Sequence, residues 1–266
     1  MPEVADAGVA VVDGVDRLEE GHGPLFAVIG VFDGIHLGHQ YLLRHLVAGA
    51  RSRGARPSVI TFDSHPDEVI VGAAPPLLLD PQERIRLLQA AGVEVIVVQH
   101  FDAALRVTEY DEFLHRITAR TRLAGLLMTP DAAFGHDRRG TPEAVAELRH
   151  KDGFDLVVVP PFEIAGRSVR SSDVRSAIAS GDLGLAAELL GRPYAIVGTT
   201  AENGFLLCPV PVALPPAGSY RTVVECHGVS EPRPATLDVG VGASLRVQPP
   251  GSETDGTRIQ VAFSDD

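Results

Sequence analysis

His36 and His39 stand three residues apart in the run Gly30-Val31-Phe32-Asp33-Gly34-Ile35-His36-Leu37-Gly38-His39. Residues at that spacing share one side of a helical turn. An apolar run, Leu25 to Val31, precedes the pair, and an amphipathic stretch, Gln40 to Leu46, follows it. That order predicts a buried strand, a tight glycine turn and a helix, which gathers backbone N–H groups and a helix N-terminus at one point. Such a point attracts anions, phosphate above all. Glycines let a nucleotide approach the backbone. Two imidazoles can hydrogen-bond the charge that develops on a transferred phosphorus and on departing pyrophosphate. The pattern suits phosphoryl or nucleotidyl transfer. Taken alone, an H-x-G-H tetrad is also an ordinary strand-to-helix turn carrying two polar histidines.

The elements that must position this turn follow from periodicity. Pro57 to Phe62 is a β-rich run. Pro81 to Ala91 has helical spacing, with Asp80 as N-cap and Gly92 as C-cap. Val93 to Val98 is a continuous apolar run of the buried parallel type. Tyr110 to Leu123 reads as a helix and Gly125 to Met128 as a strand. Thr141 caps a helix to Lys151 with Pro142 at its first position, Asp155 to Val159 is a strand, and Asp173–Ser180 and Leu183–Leu190 are short helices. Alternating β and α units imply a parallel sheet with helices on both faces and a ligand crevice beyond the strand C-termini. From Tyr194 the helical period stops. Short β-like pieces (194–199, 205–212, 220–226, 235–239, 245–247, 258–263) separated by Gly, Pro and Asn predict a small all-β domain, sandwich or barrel. The expected division is an N-terminal arm over 1–22, an α/β domain over 23–192 and a β domain over 193–266, with a turn-rich stretch from Gln248 to Thr257.

The 266 residues carry 45% hydrophobic side chains but only 5% aromatics and no Trp, so aliphatics must fill the core. A formal net charge of −12 argues against nucleic acid as a partner, because duplex binding needs a basic face. Lys151 is the sole lysine, so phosphate binding falls to arginines, histidines and backbone amides; arginine can bind phosphate oxygens bidentately. Cys208 and Cys226 match no metal spacing and give no sign of an oxidising compartment. Met1 to Gly21 is neither a signal peptide nor a membrane span, which leads to the expectation of a cytoplasmic protein without a membrane partner. The oligomeric state stays open. Acyl-transfer chemistry lacks its parts: no G-x-S-x-G, no Cys before residue 200 and no zinc-ligand pairs.

Three further motifs stand in order after the histidines. Thr61-Phe62-Asp63-Ser64-His65-Pro66 ends the second strand, and alone is ordinary turn chemistry. Met128-Thr129-Pro130-Asp131-Ala132-Ala133-Phe134-Gly135 follows the fourth, and alone is a plain loop exit that continues into Arg138 and Arg139. Val169-Arg170-Ser171-Ser172-Asp173-Val174-Arg175 opens a helix, where Ser171 or Ser172 would serve as N-cap in any protein. With the histidine run, these four segments resemble the H-x-G-H nucleotidyltransferases. Among them the likeness is greatest to the adenylyltransferase module of prokaryotic FAD synthetases, which is usually fused to a riboflavin kinase. Gly181-Asp182-Leu183 through Gly191-Arg192-Pro193-Tyr194 is similar to that family's link between its two modules.

The resemblance implies a Rossmann-like nucleotidyltransferase domain followed by a β domain, acting as an FMN adenylyltransferase: ATP and FMN give FAD and pyrophosphate. It implies catalytic roles for His36, His39 and Arg175, and ATP contacts at Gly30, Phe32, Asp33, Gly34, Gly38, Ser171 and Ser172. Flavin-side contacts fall to Phe62, His65, Pro66, Asp131 and Phe134. A Mg²⁺ bridging the phosphates is expected on general grounds; Asp131 and His65 contact the flavin side or that metal, and its ligands stay open. Ser64, Thr129, Ala132 and Arg170 depart from the family's pattern, which leaves a different phosphate-bearing acceptor as a rival. A non-catalytic flavin or nucleotide binder is a second rival. In the kinase half, Phe205 to Pro211 lacks the family's Thr-Ala-Asn nucleotide loop, so the β domain reads as a shrunken remnant without kinase activity. It would act as a structural cap or interaction surface tied to the first domain through Arg192-Pro193-Tyr194, and a chain ending near Gly198 would be expected to keep adenylyl transfer if it stays soluble.

Overall fold

Segments such as Leu25–Ile29 and Val95–Gln99 are apolar on both faces, and such strands belong in a sheet covered on both sides. The computed structural model describes residues 8–226, 231–249 and 255–264 and places them in a six-stranded parallel sheet. Its strands are β1 (Ala10–Asp13), β2 (Leu25–Ile29), β3 (Arg56–Phe62), β4 (Val95–Gln99), β5 (Leu123–Met128) and β6 (Asp155–Val158). The spatial order is β1-β4-β3-β2-β5-β6. Helices α1 (Leu37–Arg51), α2 (Pro66–Ile70), α3 (Pro81–Ala90), α4 (Ala103–Arg106), α5 (Tyr110–Thr118) and α6 (Pro142–Asp152) connect them, and a hairpin of β7 (Glu163–Ile164) and β8 (Arg167–Ser168) follows. The strand order reverses between β2 and β5. Such a reversal opens a crevice at the strand C-termini; there the chain leaves β2 into the histidine run and β5 into the Asp131–Gly135 loop.

The chain then forms α7 (Ser171–Ser180), α8 (Leu183–Leu190), β9 (Ala195–Thr200), β10 (Leu206–Leu207), β11 (Gly218–Glu225), β12 (Arg233–Val239), β13 (Leu245–Gln248) and β14 (Arg258–Phe263). These strands are antiparallel in the order β10-β9-β14-β11-β12-β13. A bridge between Phe205 and Arg246 ties the β10 edge to the β13 edge, so the sheet closes into a barrel and leaves few unpaired backbone groups. Alternate strand residues (Ile196, Val224, Leu237, Val247, Val261) form one core with Val174, Ile178, Ala186 and Leu190 of α7 and α8.

Two units result. The first comprises Met1–Phe32, Gly38–Pro75 and Ile85–Ser168; the second comprises Asp33–Leu37, Pro76–Arg84 and Val169–Asp266. The second therefore takes in α7 and α8, which the periodicity had assigned to the first. It also takes in the Pro76–Arg84 segment, where Leu77 pairs with Val212 through Leu77 N–H to Pro211 O and Ala213 N–H to Leu77 O, each 2.9 Å. The Asp80 carboxylate accepts from the N–H groups of Gln82 (2.9 Å) and Glu83 (3.2 Å), as an N-cap should, and pairs with Arg258 of β14.

Several boundaries differ from expectation. The expected arm supplies β1, which pairs in parallel with β4 from Ala10–Val95 to Asp13–Val98; its four residues are too few to stand out by period. Residues 1–7 of that arm, and 250–254 of the turn-rich stretch, lie outside the described residues. The helix expected to reach Leu123 ends at Thr118, and β5 begins at Leu123 with Gly125 inside it. A Cβ at Gly125 would sit 2.8 Å from the Phe26 ring and 2.9 Å from the Asp155 carbonyl, so this glycine marks close packing rather than a strand end. Of 205–212, only Leu206–Leu207 is strand. Helix α7 starts at Ser171 with Arg170 as its N-cap. The acidic side chain at its third position, Asp173, accepts from the Arg170 N–H at 3.0 Å, so neither serine serves as the cap.

A break after Gly198 cuts through a continuous core. It strips Val174, Ile178 and Leu190 of their barrel partners, each such side chain being worth about 1.5–3 kcal/mol of burial. A chain ending there is therefore expected to lose cooperative thermal unfolding and to bind an apolar dye, measured by circular dichroism and fluorescence. Full-length-like cooperative melting of that fragment would contradict the shared core.

Candidate active site

In the second unit, the loop ahead of α1 is built on the Asp33 carboxylate. It is 3% exposed and accepts from the N–H of Leu78 (2.9 and 3.0 Å) and of Leu79 (3.1 Å). Arg175 closes the cluster, donating from Nη2 to Asp33 Oδ2 at 2.5 Å and from Nε to the Pro76 carbonyl at 2.8 Å. Burial is the largest influence on the Asp33 carboxyl and pushes it upward, against the Leu78 N–H, Arg175 and the Leu79 N–H. Ser171, at the first position of α7, donates its hydroxyl to the Asp33 carbonyl at 2.9 Å. Ser172 is exposed on the same first turn. The structure thus brings Asp33, Ser171 and Arg175 together. Asp33 faces inward as the group that orients the arginine, and does not form a ligand-facing wall. A guanidinium has five N–H donors, so the two bonds made here do not exhaust its capacity for phosphate oxygens.

The turn itself is strained. Gly34 has φ 85°, and Ile35 follows at φ 39°, a region that costs a β-branched residue of the order of 1–3 kcal/mol. A Cβ at Gly34 would meet Leu78 Cδ1 at 2.8 Å, so glycine is required there on both counts. His36 follows, one residue before α1 and 4% exposed.

In the first unit, Gly30 N–H donates to the Ile60 carbonyl (3.0 Å) and the Thr61 hydroxyl to the Val31 carbonyl (3.0 Å), which fixes the end of β2. Phe32 is buried and lies against the His39 ring, with centroids 5.0 Å apart. Its place is under the imidazole rather than open to a base. Gly38 and His39 lie in the first turn of α1.

The same unit holds a cavity of about 340 Å³ lined by Ile29, Phe62, Phe101, Leu105, Phe113 and Phe134, with Arg106, His136 and Arg138 among its polar lining. Phe62 and Phe134, both expected on the flavin side, meet there. Phe62 stands edge-on to Phe101 at 5.4 Å, and Phe113 to Phe134 at 6.3 Å. Gly135 (φ 75°) and Gly140 let this loop lie on Tyr110: a Cβ at either would come within 2.6 Å of Tyr110 atoms. His65, Pro66 and Asp131 do not line the cavity. His65 caps α2, its Nδ1 accepting from Asp67 N–H at 3.2 Å, with Pro66 at the first helical position. The Asp131 carboxylate accepts from the Thr129 hydroxyl at 2.8 Å. Phe101, Leu105 and Phe113 were missed by sequence reasoning because they lie on a loop and two helices whose apolar residues read as core.

Burial lowers the His36 pKa from the ordinary 6.5 to about 4; Asp173 opposes this and Arg192 adds to it. His36 is therefore a neutral imidazole at pH 7, able to donate one N–H. An unfolded chain takes up its proton near 6.5 and the folded one only near 4. Between those values the unfolded state holds more protons, so stability falls with falling pH. The loss is absent above 6.5, complete below about 4, and on the order of 3 kcal/mol. Urea midpoints measured from pH 7 to 4 are expected to fall less steeply for His36→Gln than for the parent chain; equal slopes would place His36 in water.

The described residues thus define an α/β unit with a six-stranded parallel sheet and a second unit with a six-stranded antiparallel barrel. Residues 19–173 match the FAD synthetase family, and the chain belongs to it. A bifunctional riboflavin kinase/FMN adenylyltransferase of Haemophilus influenzae is 34% identical over 180 residues, 67% of this chain and 58% of that one. One of Pseudomonas fluorescens is 30% identical over 240 residues, 86% of this chain and 77% of its own. The chain thus spans little more than half the length of the first relative. Among solved structures, a protein described as a macrolide-efflux protein from Streptococcus pneumoniae shares the fold with TM-score 0.79 at 24% identity, over 97% of this chain and 89% of that one.

Proposed function

We propose that this chain is a cytoplasmic FMN adenylyltransferase, transferring AMP from ATP to the FMN phosphate to give FAD and pyrophosphate, and that it does not phosphorylate riboflavin. The observation that carries the reading is the family match over 19–173, which contains both histidines, both serines and the aromatic cavity. Among the described residues no helix is long and apolar enough to cross a membrane, and both cysteines are free thiols.

An FMN phosphate oxygen attacks the α-phosphorus, a P–O bond forms, and the bond to the β-phosphate oxygen breaks. The nucleophile is already ionised, so the site needs alignment and charge stabilisation rather than a base. His36, held neutral by burial, and His39 donate hydrogen bonds to oxygens that gain charge. Arg175 and the first turn of α7 hold the terminal phosphates. The Phe62–Phe134 cavity takes the apolar isoalloxazine. No group of three or more His, Cys, Asp or Glu among the described residues is placed to hold a metal ion. A Mg²⁺ would enter on the triphosphate and would supply charge neutralisation at its oxygens. In the barrel, Leu206 and Leu207 occupy β10 where the family's resemblance calls for a nucleotide loop, which supports the absence of kinase activity.

The test is incubation of the chain with ATP, Mg²⁺ and, in separate reactions, FMN, nicotinamide mononucleotide, phosphopantetheine and riboflavin, read by mass. FAD from FMN and no FMN from riboflavin are expected. His36→Ala or His39→Ala should lower kcat by about 10² or more. Turnover of another phosphate acceptor but never FMN would overturn the flavin assignment. FMN formed from riboflavin would overturn the kinase reading, and full activity in both alanine variants would overturn the mechanism.

A further inference from the structure

The Gly191-Arg192-Pro193-Tyr194 link has no part in the chemistry above, yet it reaches the histidine turn. Arg192 donates from Nη2 to the Gly34 carbonyl at 2.7 Å and from Nη1 to the Ile35 carbonyl at 3.2 Å. Those two carbonyls belong to the residues immediately before His36, and both residues have left-handed backbone. An unfavourable conformation of a β-branched residue persists only where its surroundings over-determine it. A charged, planar fork across two successive carbonyls does that, and a single point charge cannot.

The arginine is itself fixed from the barrel. Two residues on, Tyr194 is buried, donates its hydroxyl to the Ala213 carbonyl at 2.6 Å and stacks on Phe263 at 5.7 Å with 8° between ring planes. Gly191, in the left-handed conformation that ends α8, turns the chain so that Arg192 points back.

We propose that Arg192 is a positioning residue for adenylyl transfer: it holds the Gly34–Ile35 turn so that His36 is presented to the reacting phosphates, and it links the barrel to that turn. The proposal rests on the adenylyltransferase reading. Arg192 touches no substrate in this scheme. Its loss should appear in kcat rather than in the KM for ATP or FMN, because His36 acts on charge formed in the transition state.

The test uses the full chain and two variants, Arg192→Gln and Arg192→Lys, with thermal unfolding as a control for fold. FAD formation is measured together with the titration of the His36 ring by NMR. Asp173 and Arg192 are the charged groups that act on this ring. Arg192→Gln removes fork and charge, and should lower kcat by about tenfold to a hundredfold while moving the His36 midpoint upward from about 4. Arg192→Lys keeps the charge but cannot bridge both carbonyls, and should lower kcat with little movement of the midpoint. Wild-type kcat in both folded variants would overturn the proposal. So would a loss confined to KM with an unmoved midpoint in Arg192→Gln. If the parent chain makes no FAD, the adenylyltransferase reading falls; the Arg192 contact is then judged on the midpoint alone, and an unmoved midpoint in Arg192→Gln refutes it.

Discussion

A carboxylate taken out of water must be fully partnered, and Asp33 meets that requirement with groups drawn from distant parts of the chain. Its oxygens take the Leu78 and Leu79 amides and the Arg175 guanidinium. Removing one partner of such a buried pair typically costs about 3–5 kcal/mol. The need to satisfy one side chain therefore places the 76–80 segment and the start of α7. Ser171 then adds the Asp33 carbonyl to the same cluster. On the other side of the turn, the Gly34 and Ile35 carbonyls receive Arg192. The residues before His36 are thus held at a side chain and at three carbonyls, which allows a strained backbone to be retained.

Aliphatic side chains dominate the cores, with Phe154, Tyr194 and Phe263 among them, and four of the ten phenylalanines (Phe62, Phe101, Phe113 and Phe134) line one cavity. Flat, polarisable rings give large contact area and edge or face geometry that aliphatic side chains lack. Gly135 and Gly140 hold the cavity's loop against Tyr110, so the glycine of the Phe134-Gly135 pair sets loop height while its neighbour supplies the ring.

The parallel sheet, the barrel and the histidine turn were legible because long apolar runs, a change from helical to strand period and a glycine-rich turn each have local causes. What escaped depends on partners remote in sequence. β1 is four residues long and is a strand because β4 offers it an edge. Gly125 looks like a terminator until Phe26 and the Asp155 carbonyl are seen where a side chain would go. α7 and α8 read as the end of the first domain, yet their apolar faces close the barrel core. The inward direction of Asp33 was hidden for the same reason: nothing near it in sequence names Leu78, Leu79 or Arg175 as partners. The order of motifs carried the family resemblance, but that resemblance could not tell which residues would touch substrate and which would hold the others in place.

The most direct measurement of this account is single-turnover FAD formation by Asp33→Asn beside the parent chain, with folding checked by unfolding midpoint. Asparagine keeps the size of the side chain but removes the charge that fixes Arg175. The account predicts that the parent forms FAD and that the folded variant does so slower by about 10² or more, with weakened ATP binding. A folded Asp33→Asn chain that matches the parent in rate and in ATP dependence would contradict it.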